Sequence, residues 1–394
     1  MASAPSPPDP LSESPHQVLA PPVSRGSRRA YPILLALAVV DSAAYSVIAP
    51  VLPALRQVTG AGVATMSLLA GVFPFAMLGG LVLAGRLVHA GRTRLCIVVG
   101  LSGLAVGSFG FAVDDRLAWL FAVRAVMGIC SGCLWLGLTF SVLEYWPGGE
   151  YRTLSRIYAA YSVGAMAGPL LGALHGVHAP FIAYAVIALV GIPIALALPK
   201  PSAPPVFQRD RQVLRSPGFQ LSAVAMLFAM MSFGVVDGVL PLHFASQMTQ
   251  TQIGIAFSAT ALLIAFSSAA AGNRRANLAL SIGVVGVVVG LSVAGAGLSI
   301  PVWLVALVIV AVGEGASTTG ATGVLLESVP TDRIVTALVV WSQIGILGYV
   351  IGPVAGGLIA QHAGYAWLGV LPFAVALVMA ALAVRTRRSR SQRH

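Results

Sequence analysis

Twelve runs of about twenty apolar residues, almost free of charge, leave this chain few ways to fold. They cover residues 31–55, 63–87, 95–113, 117–142, 157–174, 180–198, 219–242, 253–271, 278–297, 302–326, 334–360 and 365–384. A helix rising about 1.5 Å per residue crosses the hydrocarbon core of a bilayer in roughly that length. No water is available there to bond backbone N–H and C=O groups, so each run is predicted to be a helix. Only 9% of the 394 residues are charged, against 57% apolar. A soluble domain keeps about a quarter of its residues charged, so the outer surface of this chain must face lipid. The expected fold class is an all-α membrane protein with twelve transmembrane helices.

The basic residues test that count. With the amino terminus placed inside, inner segments hold 20 of the 23 lysines and arginines, and outer loops hold only Arg56 and Arg116. One misplaced span would scramble this alternation, and the bias predicts that both termini are cytoplasmic. The membrane expected is the inner (plasma) membrane of a cell. The net charge of +11 thus sits between apolar runs rather than on one basic face, so no nucleic-acid partner is expected. Residues 1–30 are rich in Pro and Ser and lack the apolar stretch of a secretion signal, which reads as a disordered cytoplasmic tail. Residues 385–394 form a basic cytoplasmic tail.

The longest internal polar stretch, 199–218, reads as a cytoplasmic central loop dividing six runs (31–198) from six (219–384). The halves echo each other. Span five carries Gly164, Gly168, Pro169 and Gly172, and span eleven repeats the Gly-Pro step at Gly352 and Pro353, 184 residues later. Small residues spaced by four let helices pack closely, and proline bends them. Two pseudo-symmetric six-helix bundles, with a small molecule handled between them, are the arrangement of many secondary transporters.

Lys200 is the only lysine and lies in no Gly-rich phosphate loop, so ATP chemistry is not expected of this chain. His89, His175, His178, His243 and His362 are scattered at span ends. Cys96, Cys130 and Cys133 fall within apolar runs and read as packing residues. No cofactor, metal site or catalytic constellation is predicted, which argues against an enzyme. What remains is four ionisable residues at membrane depth: Asp41 in span one, Arg124 in span four, Asp237 in span seven and Glu314 in span ten. Each costs at least ~2.5–3.5 kcal/mol to insert, so each must face the bundle interior or a wet cavity. A structural ion pair between Arg124 and one acid is one reading. One arginine cannot neutralise three carboxylates, however, and a carboxylate that changes protonation with access is what proton coupling requires. Glu144, at the inner end of span four, is read as reaching water.

These residues resemble the major facilitator superfamily, and within it the twelve-span drug:proton antiporters. Arg124-Ala-Val-Met-Gly128 is similar to the span-four motif of that group, and Gly164-x-x-x-Gly168-Pro169-x-x-Gly172 to its antiporter motif, with Ser155 replacing an upstream glycine. The loop from Gly85 to Arg92 is a worn gate-loop motif, with His89 where an Asp is usual. A nearer likeness is to vesicular amine transporters and their bacterial relatives. Asp41 precedes Pro50 and Pro53 at the same spacing, Asp237 precedes Leu240-Pro241, and Glu314 lies near the relatives' span-ten acid. The lysine in span two and the acid in span eleven (near Ser342) of those relatives are missing.

The resemblance implies the major facilitator fold and proton-coupled export of small amphipathic molecules, cationic or neutral. Asp41 would hold the substrate cation or a shared proton, Asp237 and Glu314 would carry protons, and Arg124 would tune a neighbouring acid. A proton symporter or uniporter for sugars or other small metabolites is the alternative within transport. The partners expected are the small-molecule substrate, protons and membrane lipid, around a monomeric chain.

Overall fold

The computed structural model describes residues 25–146, 150–199, 213–272, 274–330 and 333–391. Residues 1–24, the part of the central loop at 200–212 that holds Lys200, and 392–394 lie outside the described residues. The fold is built of helices: α1 (Arg25–Ser46), α2 (Leu52–Thr59), α3 (Val63–His89), α4 (Thr93–Gly110), α5 (Leu117–Tyr145), α6 (Glu150–Gly172) and α7 (His178–Leu196). They continue with α8 (Pro217–Gly238), α9 (Leu240–Phe244), α10 (Gln250–Ala271), α11 (Ala276–Ala296), α12 (Ile300–Ser328), α13 (Ile334–His362) and α14 (Val370–Ser391).

Among the described residues, 11 helical stretches are long and apolar enough to cross a membrane. Two of them are jointed: Arg28–Thr59 takes in α1 and α2, and Pro217–Phe244 takes in α8 and α9. The predicted fifth span is the twelfth helix, α6. It falls below the apolarity of the others because it opens on Glu150, Arg152 and Arg156 and carries tyrosine, serine and glycine farther on. Three helices extend well past their apolar runs, by six or seven residues. α1 starts at Arg25, α6 starts at Glu150, and α14 runs on to Ser391. Hydropathy marks where the bilayer ends, and a helix need not stop there.

Packing follows a pseudo-twofold pattern. α1 packs on α6, α3 and α4 on α5, and α4 on α7; correspondingly α8 packs on α13, α10 and α11 on α12, and α11 on α14. The two sets meet along two seams, α3 with α13 and α6 with α10. Glycine makes the tightest of these contacts possible. A Cβ at Gly164 or Gly168 would run into backbone of α1 at Val39 or Ala43, and a Cβ at Gly348 or Gly352 would run into backbone of α8 at Leu227 or Met231. The glycines repeat after 184 residues and their backbone partners after 188, which puts the repeat on both sides of the contact. Gly172 and Gly128 pack likewise, on Val47 and Phe73. Lipid tails are as apolar as leucine, so in a bilayer such close approach is what holds helices together.

The glycine contacts predict opposite signs for two Gly→Ala changes. Gly164→Ala should cost on the order of 1–3 kcal/mol, because backbone of α1 cannot retreat. Gly79→Ala, with nothing within 4 Å of the new Cβ, should hold stability level or raise it slightly. Thermal unfolding midpoints in one detergent measure both.

Candidate functional site

The site begins where α1 stops. α1 ends at Ser46, a single 3-10 turn follows at Ala49–Val51, and α2 starts at Leu52. Val47 N–H is the last to bond back into α1, at Ala43 O, neither Ile48 nor Ala49 bonds back to Ala44 or Tyr45, and Pro50 and Pro53 beyond them have no N–H. The last carbonyls of α1 therefore need donors from elsewhere, because a bilayer interior supplies none. Arg124 of α5 provides them: Nη1 donates to Ala44 O at 3.0 Å and Nη2 to Tyr45 O at 2.9 Å. The guanidinium is fully buried and lies 4.4 Å from the Phe73 ring centroid and 5.9 Å from that of Tyr45. Aromatic faces stabilise a desolvated cation of this kind. Among the described residues no ion pair joins Arg124 to an acid. The ion-pair reading is thus replaced by a cap on a broken helix, with Asp237 interacting at longer range.

Asp41 lies one turn before Tyr45 on the same face of α1. Its Oδ1 accepts from Ser131 Oγ of α5 at 2.7 Å, and its Oδ2 accepts from the Tyr161 hydroxyl of α6. Trp135 meets the Tyr161 ring edge-on, with centroids 4.7 Å apart. Each carboxylate oxygen thus has a hydroxyl donor, and three helices converge on one side chain that is 2% exposed.

A cavity of about 300 Å³ opens between the halves, lined by α1, α3, α5 and α6 from one side and α8, α10, α12 and α13 from the other. Asp41 and Asp237 both line it. Met226, Met230, Phe233 and Asp237 form its α8 wall, at spacings of four, three and four that make one helical stripe. Tyr45 and Tyr349 meet across it edge-on with centroids 4.4 Å apart, and Phe233 lies 5.8 Å from Tyr349. The walls therefore combine aromatic rings and thioethers with two carboxyl groups and the hydroxyls of six serines, one threonine and three tyrosines.

Glu314 stands apart. It is fully buried on α12, and neither of its carboxylate oxygens has a hydrogen-bond partner. It does not line the cavity, but Thr318, one turn on, does. Electrostatic interactions link it to Asp237 and Tyr349. The structure thus brings Asp41 and Asp237 to one cavity and sets Arg124 and Glu314 behind its walls. Glu144 is buried rather than wet, because Thr93 Oγ1 donates to its Oε1 at 2.5 Å. The cysteines are free and inside the helix packing. Sequence reading missed Ser131, Tyr161, Tyr45, Tyr349 and the methionines. The α8 stripe is the signal that was available, since it carries an acid in register with large side chains.

The sequence profile of the Major Facilitator Superfamily matches residues 34–273 and 222–394. An uncharacterised MFS-type transporter of Methanocaldococcus jannaschii is 22% identical over 342 residues, covering 81% of this chain and 88% of that protein. The tetracenomycin C resistance and export protein of Streptomyces glaucescens is 25% identical over 237 residues, covering 58% of this chain and 42% of that one. Among solved structures, a bacterial homologue of the human lysosomal transporter Spinster, inward-facing and occupied, superposes with a TM-score of 0.73 at 14% identity, over 93% of this chain and 98% of the other. That likeness is one of fold.

The cap on α1 makes a prediction of its own. Arg124→Leu leaves two carbonyls without donors and should cost about 2–5 kcal/mol, read as a lower thermal midpoint. Arg124→Lys should recover only part of it, because one ammonium cannot fork to two carbonyls. A lysine variant as stable as the parent would mean that the fork is not what the site needs.

Proposed function

Because the chain belongs to the Major Facilitator Superfamily, and is therefore a membrane transporter rather than an enzyme, we propose that it exports small amphipathic organic molecules, cationic or neutral, in exchange for protons. The observation that carries this reading is the pair of buried carboxyl groups, Asp41 and Asp237, brought from opposite halves of the chain to one aromatic and methionine-lined cavity. Thioethers and rings adapt to varied apolar shapes, and a carboxylate between aromatic rings suits an organic cation. The export role of the Streptomyces glaucescens protein supports the direction.

The residues divide the work as follows. Asp41, with a hydroxyl donor on each oxygen, is the anchor for the substrate's cationic or hydrogen-bonding group. Glu314 has no donor and no counter-ion within hydrogen-bond distance, so while the site stays dry it is accommodated at least cost as the neutral acid. Asp237 faces the cavity and interacts electrostatically with Arg124 and with Glu314. Asp237 and Glu314 take up a proton from outside and release it inside, and substrate favours the deprotonated pair. The bundles 31–198 and 219–384 rock about the cavity, in the inner membrane, with the arginine-rich end cytoplasmic and the chain acting as a monomer. One charge moved through 100 mV supplies ~2.3 kcal/mol, and one unit of ΔpH about 1.4 kcal/mol more.

Proteoliposomes with a trapped pH dye test this. Lipophilic cations and neutral amphiphiles are added to the parent protein and to the Asp237→Asn/Glu314→Gln double variant. Proton flux opposite to compound movement, lost in the variant, is the expected outcome. Compound movement without proton flux, equal in parent and variant, would make the acids structural and the protein a facilitator.

A further inference from the structure

Alternating access requires the two halves to part at one end while they close at the other. In this structure the halves touch at the arginine-poor end, where the α2–α3, α6–α7, α9–α10 and α13–α14 connections lie: α2 packs on α9, and α10 on the 3-10 turn before α2. One side chain is central to that contact. Gln250, the first residue of α10, reaches across the seam into the α6–α7 connection. Its Nε2 lies 2.8 Å from Gly172 O, 2.8 Å from Leu174 O and 3.0 Å from Gly176 O, so that its two hydrogens are shared among three carbonyls, and its Oε1 accepts from Gly176 N–H at 3.2 Å. Thr251 adds a bond from its hydroxyl to Ala173 O at 3.0 Å.

The geometry on both sides is prepared for this contact. Gly172 is the last residue of α6, and the carbonyls at a helix end have no donors within the helix. Gly176 has a φ of +89°, a left-handed turn that bends the connection so that three carbonyls converge on one point. On the other half, Thr249 and Gln252 form a capping box that fixes where α10 starts and so where Gln250 points. The end of α6 is thus capped from the opposite bundle. The second seam also has a glutamine, with fewer bonds: Gln361 of α13 accepts one N–H, from Ala64 at the start of α3, at 2.9 Å.

We propose that Gln250 is the latch residue of the transport cycle: its amide holds the arginine-poor end shut and must let go of the α6–α7 connection before the cavity opens to that side. Bonds made in one state and lost in the other set the balance between the two states by their own strength. The seam opens towards water, which can take over the three carbonyls, so the latch is reversible. This inference needs only the two-bundle fold, and it stands or falls independently of the substrate and of proton coupling.

The test is a distance distribution. Val113 on the α4–α5 connection and Leu298 on the α11–α12 connection are 74% and 82% exposed, at the arginine-poor end of opposite halves, and neither side chain belongs to the latch itself. Both are changed to Cys for spin labels, with Cys96, Cys130 and Cys133 replaced by Ala, and pulsed electron–electron resonance is recorded in lipid nanodiscs. Gln250→Ala should raise the long-distance population about five- to thirtyfold. Gln250→Glu gives a signature that a merely structural role would not. As a carboxylate it repels the carbonyls and should open the end, and on acidification it regains one donor and should close it. Measuring the parent at the same pH values removes effects of the protein's other groups. Distributions like the parent's for both variants at every pH would overturn the proposal. Should Gln250→Ala fail to fold, the pH response of Gln250→Glu decides alone.

Discussion

The helix of the first span ends at Ser46, and the interior is organised around that break. In hydrocarbon a carbonyl without a donor is expensive, so the carbonyls of Ala44 and Tyr45 require a donor fork at a fixed place, and Arg124 is that fork. Burying a permanent cation there creates the next requirement. Phe73 and Tyr45 answer it with their ring faces, and Asp237 adds an interaction at longer range. Part of the aromatic wall of the cavity is thus tied to a backbone defect. The second half repeats the defect. Val51-Leu52-Pro53 recurs 188 residues later as Val239-Leu240-Pro241, and α8 gives way to α9 there as α1 gives way to α2.

Glycine then decides which face of each helix is free. With Gly164 and Gly168 pressed on α1, the remaining face of α6 gives Tyr161, Ser162 and Ala165 to the cavity. With Gly348 and Gly352 pressed on α8, α13 likewise gives Ser342, Gly345 and Tyr349. Contacts within a half are dense and involve backbone, so they resist separation. The seams between the halves also bring glycines close, Gly254 on the backbone of Pro169 and Gly357 on Ser67, and at the arginine-poor end they add hydrogen bonds near solvent, at Gln250, Gln361 and Thr251. Elements that move are drawn from contacts that can be exchanged for others, and bonds near solvent are of that kind because water can replace them.

The twelve spans and the arginine asymmetry were legible because length and charge are one-dimensional properties. The helix edges were not, because Arg25–Ala30 and Glu150–Arg156 are helical without being apolar. The four ionisable residues were legible for the same reason as the spans, since each is a charge in an apolar run. Their surroundings were hidden. Asp41 takes its donors from residues 90 and 120 positions away. Arg124 binds main-chain carbonyls, which leave no trace in a side-chain pattern, and so an ion pair looked plausible. Tyr161 sits in the least apolar span, where a polar residue attracts no notice.

The repeat also shows where the two halves stopped being equivalent. Tyr45 and Phe233, 188 residues apart, face each other's half across the same cavity, so the aromatic scaffold is shared. The charges are not. The counterpart of Asp41 is Ala229, and the counterpart of Asp237 is Ala49. Two equivalent acids on a pseudo-twofold axis would meet equivalent surroundings and behave alike. Placed at unrelated positions, they meet different chemistry. Asp41 has a hydroxyl on each oxygen, Asp237 has an arginine within electrostatic range, and Glu314, farther back, has neither a donor nor a cation within hydrogen-bond distance. Three carboxyl groups in one low-dielectric interior can differ in their hold on a proton only through such surroundings. The symmetric scaffold carries the packing, and the asymmetric charges make the carboxyl groups different from one another.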